Sequence, residues 1–298
     1  MVKSVFSIKD LENLSGIKAH TIRIWEKRYN LLVPERTDTN IRHYNLSNLQ
    51  KLLNVTQLYH HGYKISKIAK LSNEKIHQLV VDIANEQSPQ ESAIASFKMA
   101  MVNFDANLFH NTYLDLAKKF SFSEIFLETF VPLLNELGLL WQAEVVRPSH
   151  EHFITGLIKQ TIIANIKQNH VEQADSAHNG VYVLYLPNNE IHDIGLTYIY
   201  YHLLSKKHKT IYLGQSMGIE FLKDFNSFYE NIIFVTYFTV QPEPEKVNEY
   251  VQTFQNEVNP EGRHKLWLLG RQTQYFTDYE KYPDVRIFDT LYQLTQKV

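Results

Sequence analysis

The sequence predicts a multidomain α and α/β fold: a winged helix-turn-helix, then a four-helix bundle, then a doubly wound parallel, flavodoxin-like sheet. Three observations predict it. Charge is unevenly spread, with 12 Lys/Arg against 5 Asp/Glu in residues 1–70 and a balance of −9 over the rest of a chain whose net charge is −2. Residues 76–170 keep helical apolar spacing almost without a break. From Gly180 onward, short β-rich apolar runs alternate with helical segments. Polar stretches at 85–90 and 169–180 mark the junctions and give expected domains at 1–75, 76–170 and 178–298.

Composition narrows the function. The absence of cysteine excludes disulfides, thiolate zinc sites, cysteine-held iron–sulfur clusters and a cysteine nucleophile. At 44% hydrophobic and 21% charged, the chain has ordinary globular stock. The first 13 residues lack the apolar core of a signal peptide. The best membrane candidate, residues 126–141, carries Glu128 and Glu136. The expectation is a cytoplasmic protein with no membrane association, whose basic first 70 residues suit a polyanion.

In the first stretch, Ser7-Ile-Lys-Asp10 has the form of a capping box, Leu11 and Leu14 give a short apolar face, and Gly16 sits where a left-handed C-cap is favoured. A second helix over 18–29 turns Ile22, Trp25 and Tyr29 inward and His20, Thr21, Arg23, Lys27 and Arg28 outward. Pro34 stops it, residues 37–40 read as a hairpin tip and 41–44 as a returning strand. Helical patterns follow at 47–61 and 65–71. Two short helices about a tight turn, the second rich in donors, fit a helix-turn-helix whose second helix enters the major groove of double-stranded DNA.

The string from Thr21 through Trp25 and Tyr29 to Arg36 and Arg42-His-Tyr44 resembles the DNA-binding domain of MerR-family transcription regulators over about residues 5–72. Lys18 stands where that family usually places a capping Ser, Thr or Pro. The resemblance implies that Thr21, Arg23, Arg28 and Tyr29 contact DNA from the helix, and Arg36, Arg42 and Tyr44 from the wing.

The second stretch reads as helices at 88–102, 104–119, 121–141 and 148–168, with Phe126, Phe130, Leu133, Leu134, Leu137 and Leu140 as an inward stripe. Trp141, nine intervening residues and then Glu151-His152 resemble the helical cap of cobalamin-dependent photoreceptor repressors of the MerR family, the CarH/LitR type. There, the resemblance implies, the three side chains line the upper face of adenosylcobalamin. Gln142 departs from members that carry a His after the Trp. Read without the resemblance, Trp141 is core and Glu151 a favourably placed acid in a first helical turn.

In the third stretch, strands fit 180–187, 210–213, 232–237, 265–270 and 285–288, with a helix opening from 188 through 204 and others near 217–229, 243–256 and 289–297. Such alternation places ligand loops at the carboxyl ends of a parallel sheet. Glu190-x-His192-x-x-Gly195 follows the first strand and resembles the cobalamin-binding element in which His is the lower axial ligand of cobalt. The resemblance gives Glu190 the other imidazole nitrogen, lets Gly195 admit the corrin, and puts a hydroxyl, here Thr236, behind the carboxylate. It also implies a slot between sheet and helix for the nucleotide tail, lined by small residues. Phe238 and a single Gly270 between Leu269 and Arg271 depart from that pattern. Zinc on His150, His152 and His192 would need converging ligands that spacing does not show.

These resemblances imply a non-enzymatic DNA-binding regulator, a repressor, whose homo-oligomeric state (dimer or tetramer) is set by adenosylcobalamin and light. The alternatives are a cobalamin-independent regulator of the same type and, with no use for residues 5–72, a corrinoid carrier for a methyltransferase.

Overall fold

Local signals start the first elements. Ser7 caps α1 (Ile8–Ser15) reciprocally: the Asp10 N–H donates to Ser7 Oγ at 3.1 Å, and the Ser7 N–H donates to Asp10 Oδ2 at 2.6 Å. Gly16 ends the helix at φ 73°, where a side chain would be strained. The computed structural model describes residues 5–36, 41–84, 88–142, 147–168 and 180–298. They form two compact units, Met1–Ile154 and Thr155–Val298.

In the first unit, α2 (Ala19–Tyr29) buries Ile22 and Trp25, and Leu11, Leu49 and Leu52 are buried as well. Three antiparallel strands, β1 (Val5–Phe6), β2 (Glu35–Arg36) and β3 (Arg42–Asn45), lie in the order β1-β3-β2. Arg36 pairs with Arg42 across the hairpin, whose tip at 37–40 lies outside the described residues. Helices α3 (Leu46–His60), α4 (Ile65–Ile68) and α5 (Asn73–Ala84) follow. The Trp25 ring meets Tyr59 of α3 edge-on at 5.1 Å.

Next come α6 (Pro89–Asn103), α7 (Ala106–Ala117), α8 (Phe122–Ile125), α9 (Val131–Gln142) and α10 (Pro148–Gln168), the last running from the first unit into the second. The single helix expected over 121–141 is interrupted by a π-helical turn, Phe126–Phe130. Both ends of that turn are in an aromatic core: Phe97, Phe109, Phe126 and Phe130 are fully buried, with Phe97 4.8 Å from Phe109 and 5.3 Å from Phe130. Such a core holds an irregular turn that propensity alone would not select.

The second unit carries β4 (Val181–Pro187), α11 (Ile194–Ser205), β5 (Thr210–Met217), α12 (Ile219–Leu222), β6 (Ile232–Tyr237), α13 (Val247–Glu257), β7 (Lys265–Leu269), β8 (Val285–Ile287) and α14 (Leu291–Thr295). The strands form one parallel sheet in the order β5-β4-β6-β7-β8. β4 is buried along its whole length, as a strand covered on both faces should be. The helix expected near 217–229 shrinks to the single turn α12 and a 3-10 turn. The chain leaves β4 toward β5 and returns to β6 on the other side, so the order reverses at β4. Ligands of open parallel sheets bind at that reversal, beyond the strands' carboxyl ends.

Candidate functional site

The N-terminal surface is organised by a residue the sequence reading passed over. Glu26, on α2, accepts from Arg42 Nε at 2.9 Å and from the Tyr44 hydroxyl at 2.9 Å, both on β3. This carboxylate therefore fixes the wing to the second helix. Tyr44 is fully buried, and burial together with the Glu26 carboxylate pushes its hydroxyl pKa up. Tyr44 is therefore corrected from a DNA contact to a core residue: a side chain with no exposed surface cannot reach a phosphate. Arg42 is half-buried and raised in pKa by its bond to Glu26. Arg23, Lys27, Arg28 and Arg36 are exposed, and Thr21 and Tyr29 are half-buried, with the Arg28 guanidinium 5.7 Å from the Tyr29 ring centre. Sixteen and eighteen positions separate Glu26 from its partners, beyond any local pattern.

At the other site, the loop after β4 carries Glu190 and His192, and the helix expected from 188 opens only at Ile194. The reason is the carboxylate itself. Glu190 Oε1 accepts from the N–H groups of Ile191 and His192 at 2.9 and 3.0 Å, holding this segment out of helical geometry. The same oxygen meets His192 Nδ1 at 2.5 Å. Oε2 accepts from the backbone of Thr239, Val240 and Gln241, in the loop after β6, at 3.2, 2.6 and 2.9 Å. One buried side chain thus ties together the two loops flanking the strand-order reversal. Burial alone would raise its pKa; the His192 imidazole and the N–H groups of Gln241, Val240 and His192 outweigh this and hold it down to about 2.

The His192 side chain is 52% exposed, whereas that of Glu190 is fully buried. A carboxylate on Nδ1 selects the tautomer that keeps the proton there and leaves Nε2 the basic nitrogen, the arrangement that orients a metal-ligating imidazole. Exposed Ile191 and Val240 flank it with apolar surface. Asp193, the next residue, is paired with Lys159 of α10 at 2.5 Å.

Other expected cofactor residues stand differently. Thr236 is buried on β6 beside the Tyr185 hydroxyl and makes no bond to Glu190, so its place behind the carboxylate is corrected: the 239–241 backbone fills it. Gly195 does not face open space, since a Cβ there would lie 2.7 Å from the Tyr237 ring. Gly270, at φ 101°, would put a Cβ 2.4 Å from the Phe238 carbonyl oxygen, so it serves loop-on-loop packing rather than lining a channel. The donor set at His192 therefore fits a cobalt ligand, but the face behind it does not fit an inserted nucleotide tail.

Trp141 lies in the last turn of α9, and its side chain, like that of Gln142, lies outside the described residues. Glu151 and His152 occupy the first turn of α10 in the first unit, 3.4 Å apart, with the His exposed. Among the described residues, no three His, Asp or Glu side chains converge as a metal site. No described helix is long and apolar enough to cross a membrane.

Two segments of the chain match known families. Residues 6–75 match the family described as MerR HTH family regulatory protein, and residues 93–164 match the B12 binding domain. The chain is 24% identical over 202 residues to the HTH-type transcriptional repressor CarH of Myxococcus xanthus, covering 66% of each. It is 28% identical over 95 residues to the HTH-type transcriptional regulator MlrA of Escherichia coli K12, covering 32% of this chain and 37% of that one. It thus spans slightly under two thirds of the first relative and about a third of the second. Among solved structures, the monomethylamine corrinoid protein of Methanosarcina barkeri superposes with a TM-score of 0.52 at 13% identity, over 70% of this chain and 97% of that one, a likeness of fold. The chain thus joins a segment that matches the MerR HTH family, residues 6–75, to one that matches the B12 binding domain, residues 93–164.

Proposed function

We propose that the chain is a cytoplasmic, DNA-binding transcription regulator, a repressor, whose C-terminal unit takes a cobalt corrinoid through His192. Its role is binding rather than catalysis. The observation that carries the reading is the Glu190-anchored, exposed imidazole at the strand-order reversal, in a chain whose other end presents a basic helix and wing. On the DNA side, Arg23, Arg28 and Arg36 supply the exposed donors, Thr21 and Tyr29 border them, and Glu26 sets the wing's angle through Arg42 and Tyr44.

On the sensor side, Glu190 holds the Nδ1 proton, and His192 Nε2 is the atom offered to cobalt. An adenosylated corrinoid, of which adenosylcobalamin is the form suggested by the resemblance to CarH, would supply a cobalt–carbon bond that light breaks. Control would act on a homo-oligomer, dimer or tetramer, that grips a double-stranded operator.

The packed aromatic face behind His192 favours a second reading, a regulator of the same type that works without cobalamin. The two are separated by selecting duplexes from a random pool with the full chain, then measuring binding with and without a corrinoid, in the dark and after green light. Binding that responds to corrinoid supports the first reading; DNA binding indifferent to it supports the second.

A further inference from the structure

The sheet face that carries Thr236 is filled. Tyr185 on β4 and Thr236 and Phe238 at the end of β6 are fully buried. Tyr250 of α13 closes over them, its hydroxyl donating to that of Tyr185 at 3.2 Å and its ring meeting Phe238 edge-on at 5.1 Å. The loop after β7 is seated on the loop after β6 without a gap, because the Cβ position of Gly270 is taken by the Phe238 backbone. On the solvent side the opposite holds: His192 is half-exposed, and Ile191 and Val240 offer apolar surface, 61% and 49% exposed.

A planar macrocycle can therefore be met from outside, while an arm reaching inward past the ring meets close-packed aromatic rings. Cobalamin carries such an arm, a nucleotide ending in a bulky base; cobinamide is the same cobalt corrin without it. We infer that this site discriminates against the nucleotide arm and takes corrinoids of the cobinamide type, with Tyr185, Phe238 and Tyr250 as the specificity-determining residues. This rests on the reading of His192 as the cobalt ligand. Overpacking a filled core is costly enough to be seen as a difference of about tenfold or more in affinity.

The test titrates the full chain in the dark with aquocobinamide and, separately, with aquocobalamin, following the absorbance change of imidazole coordination and the corrinoid retained after gel filtration. Aquocobinamide should bind about tenfold or more tighter, and Phe238→Leu, which trims the face, should narrow the ratio. Should that variant fail to fold, the wild-type ratio stands alone as the test. Equal or tighter binding of aquocobalamin overturns the inference while leaving His192 as ligand. Retention of neither corrinoid, or equal retention by His192→Ala, overturns the reading of His192 itself.

Discussion

The Nδ1 of His192 stands 2.5 Å from Oε1 of Glu190, and the two residues differ completely in exposure: the imidazole is half in solvent, the carboxylate wholly buried. The pair therefore divides its work. Glu190 builds the loops; His192 is what they present. Glu190→Gln replaces one acceptor oxygen with a donor facing N–H groups, leaving buried donors unsatisfied whichever way the amide turns. It should lower stability by at least about 1–3 kcal/mol, whereas His192→Ala should cost much less. Denaturant melts of both variants check this, and equal losses would show that Glu190 is not the loop clamp.

The same carboxylate sets an acid limit. Its pKa is depressed from 4.5 to about 2 in the folded chain, so the folded state prefers it ionised. The stabilisation is complete above the unfolded value and is lost as pH falls from about 4.5 toward 2. A stability profile over this range should lose part of its slope in Glu190→Gln.

His202 gives a second, milder limit. Burial first, and then the Lys206 charge, push its pKa down from 6.5 to about 4. The folded state prefers the neutral ring, so stability is full above about pH 6.5 and declines as pH falls toward 4. His202→Leu should flatten that segment; an unchanged slope would assign it to other groups.

At the DNA face, Arg23→Ala and Arg28→Ala should each weaken operator binding by roughly 1–3 kcal/mol with an unchanged melting temperature, and each lost phosphate contact should reduce the salt slope by about 1. Glu26→Ala should behave differently, lowering both melting temperature and affinity, because Arg42 and Tyr44 lose their shared anchor. Titrations at several salt concentrations, run beside thermal melts, separate the two classes.

Gly270→Ala places a Cβ 2.4 Å from a carbonyl oxygen at φ 101°, where neither the backbone nor the neighbour gives way cheaply. A loss of roughly 1–3 kcal/mol should appear in chemical denaturation. A neutral result would mean that the loops after β6 and β7 are not closely seated.

The parts legible in the sequence were those with short-range causes. The Ser7–Asp10 capping box, the Gly16 stop, the bounds of β6 and the parallel order of the second unit all follow from spacing and turn chemistry. The Glu190–His192 pair was legible for the same reason, two residues apart on one loop. What escaped depends on distant partners. Glu26 reads as one more charge on a helix until β3 folds back on it. Thr236 has the right spacing for a hydroxyl relay, yet the 239–241 backbone reaches the carboxylate instead. The π-turn at Phe126–Phe130 has no local signal beyond its two aromatic ends.

The central claim, that His192 is the corrinoid ligand of this chain, is tested most directly by the absorbance of wild-type protein and of His192→Ala after dark incubation with aquocobinamide or aquocobalamin and removal of free corrinoid. The account predicts an imidazole-coordinated corrinoid retained by the wild type and lost from His192→Ala. Wild-type protein that retains neither corrinoid, or a variant with the same spectrum as wild type, would contradict it.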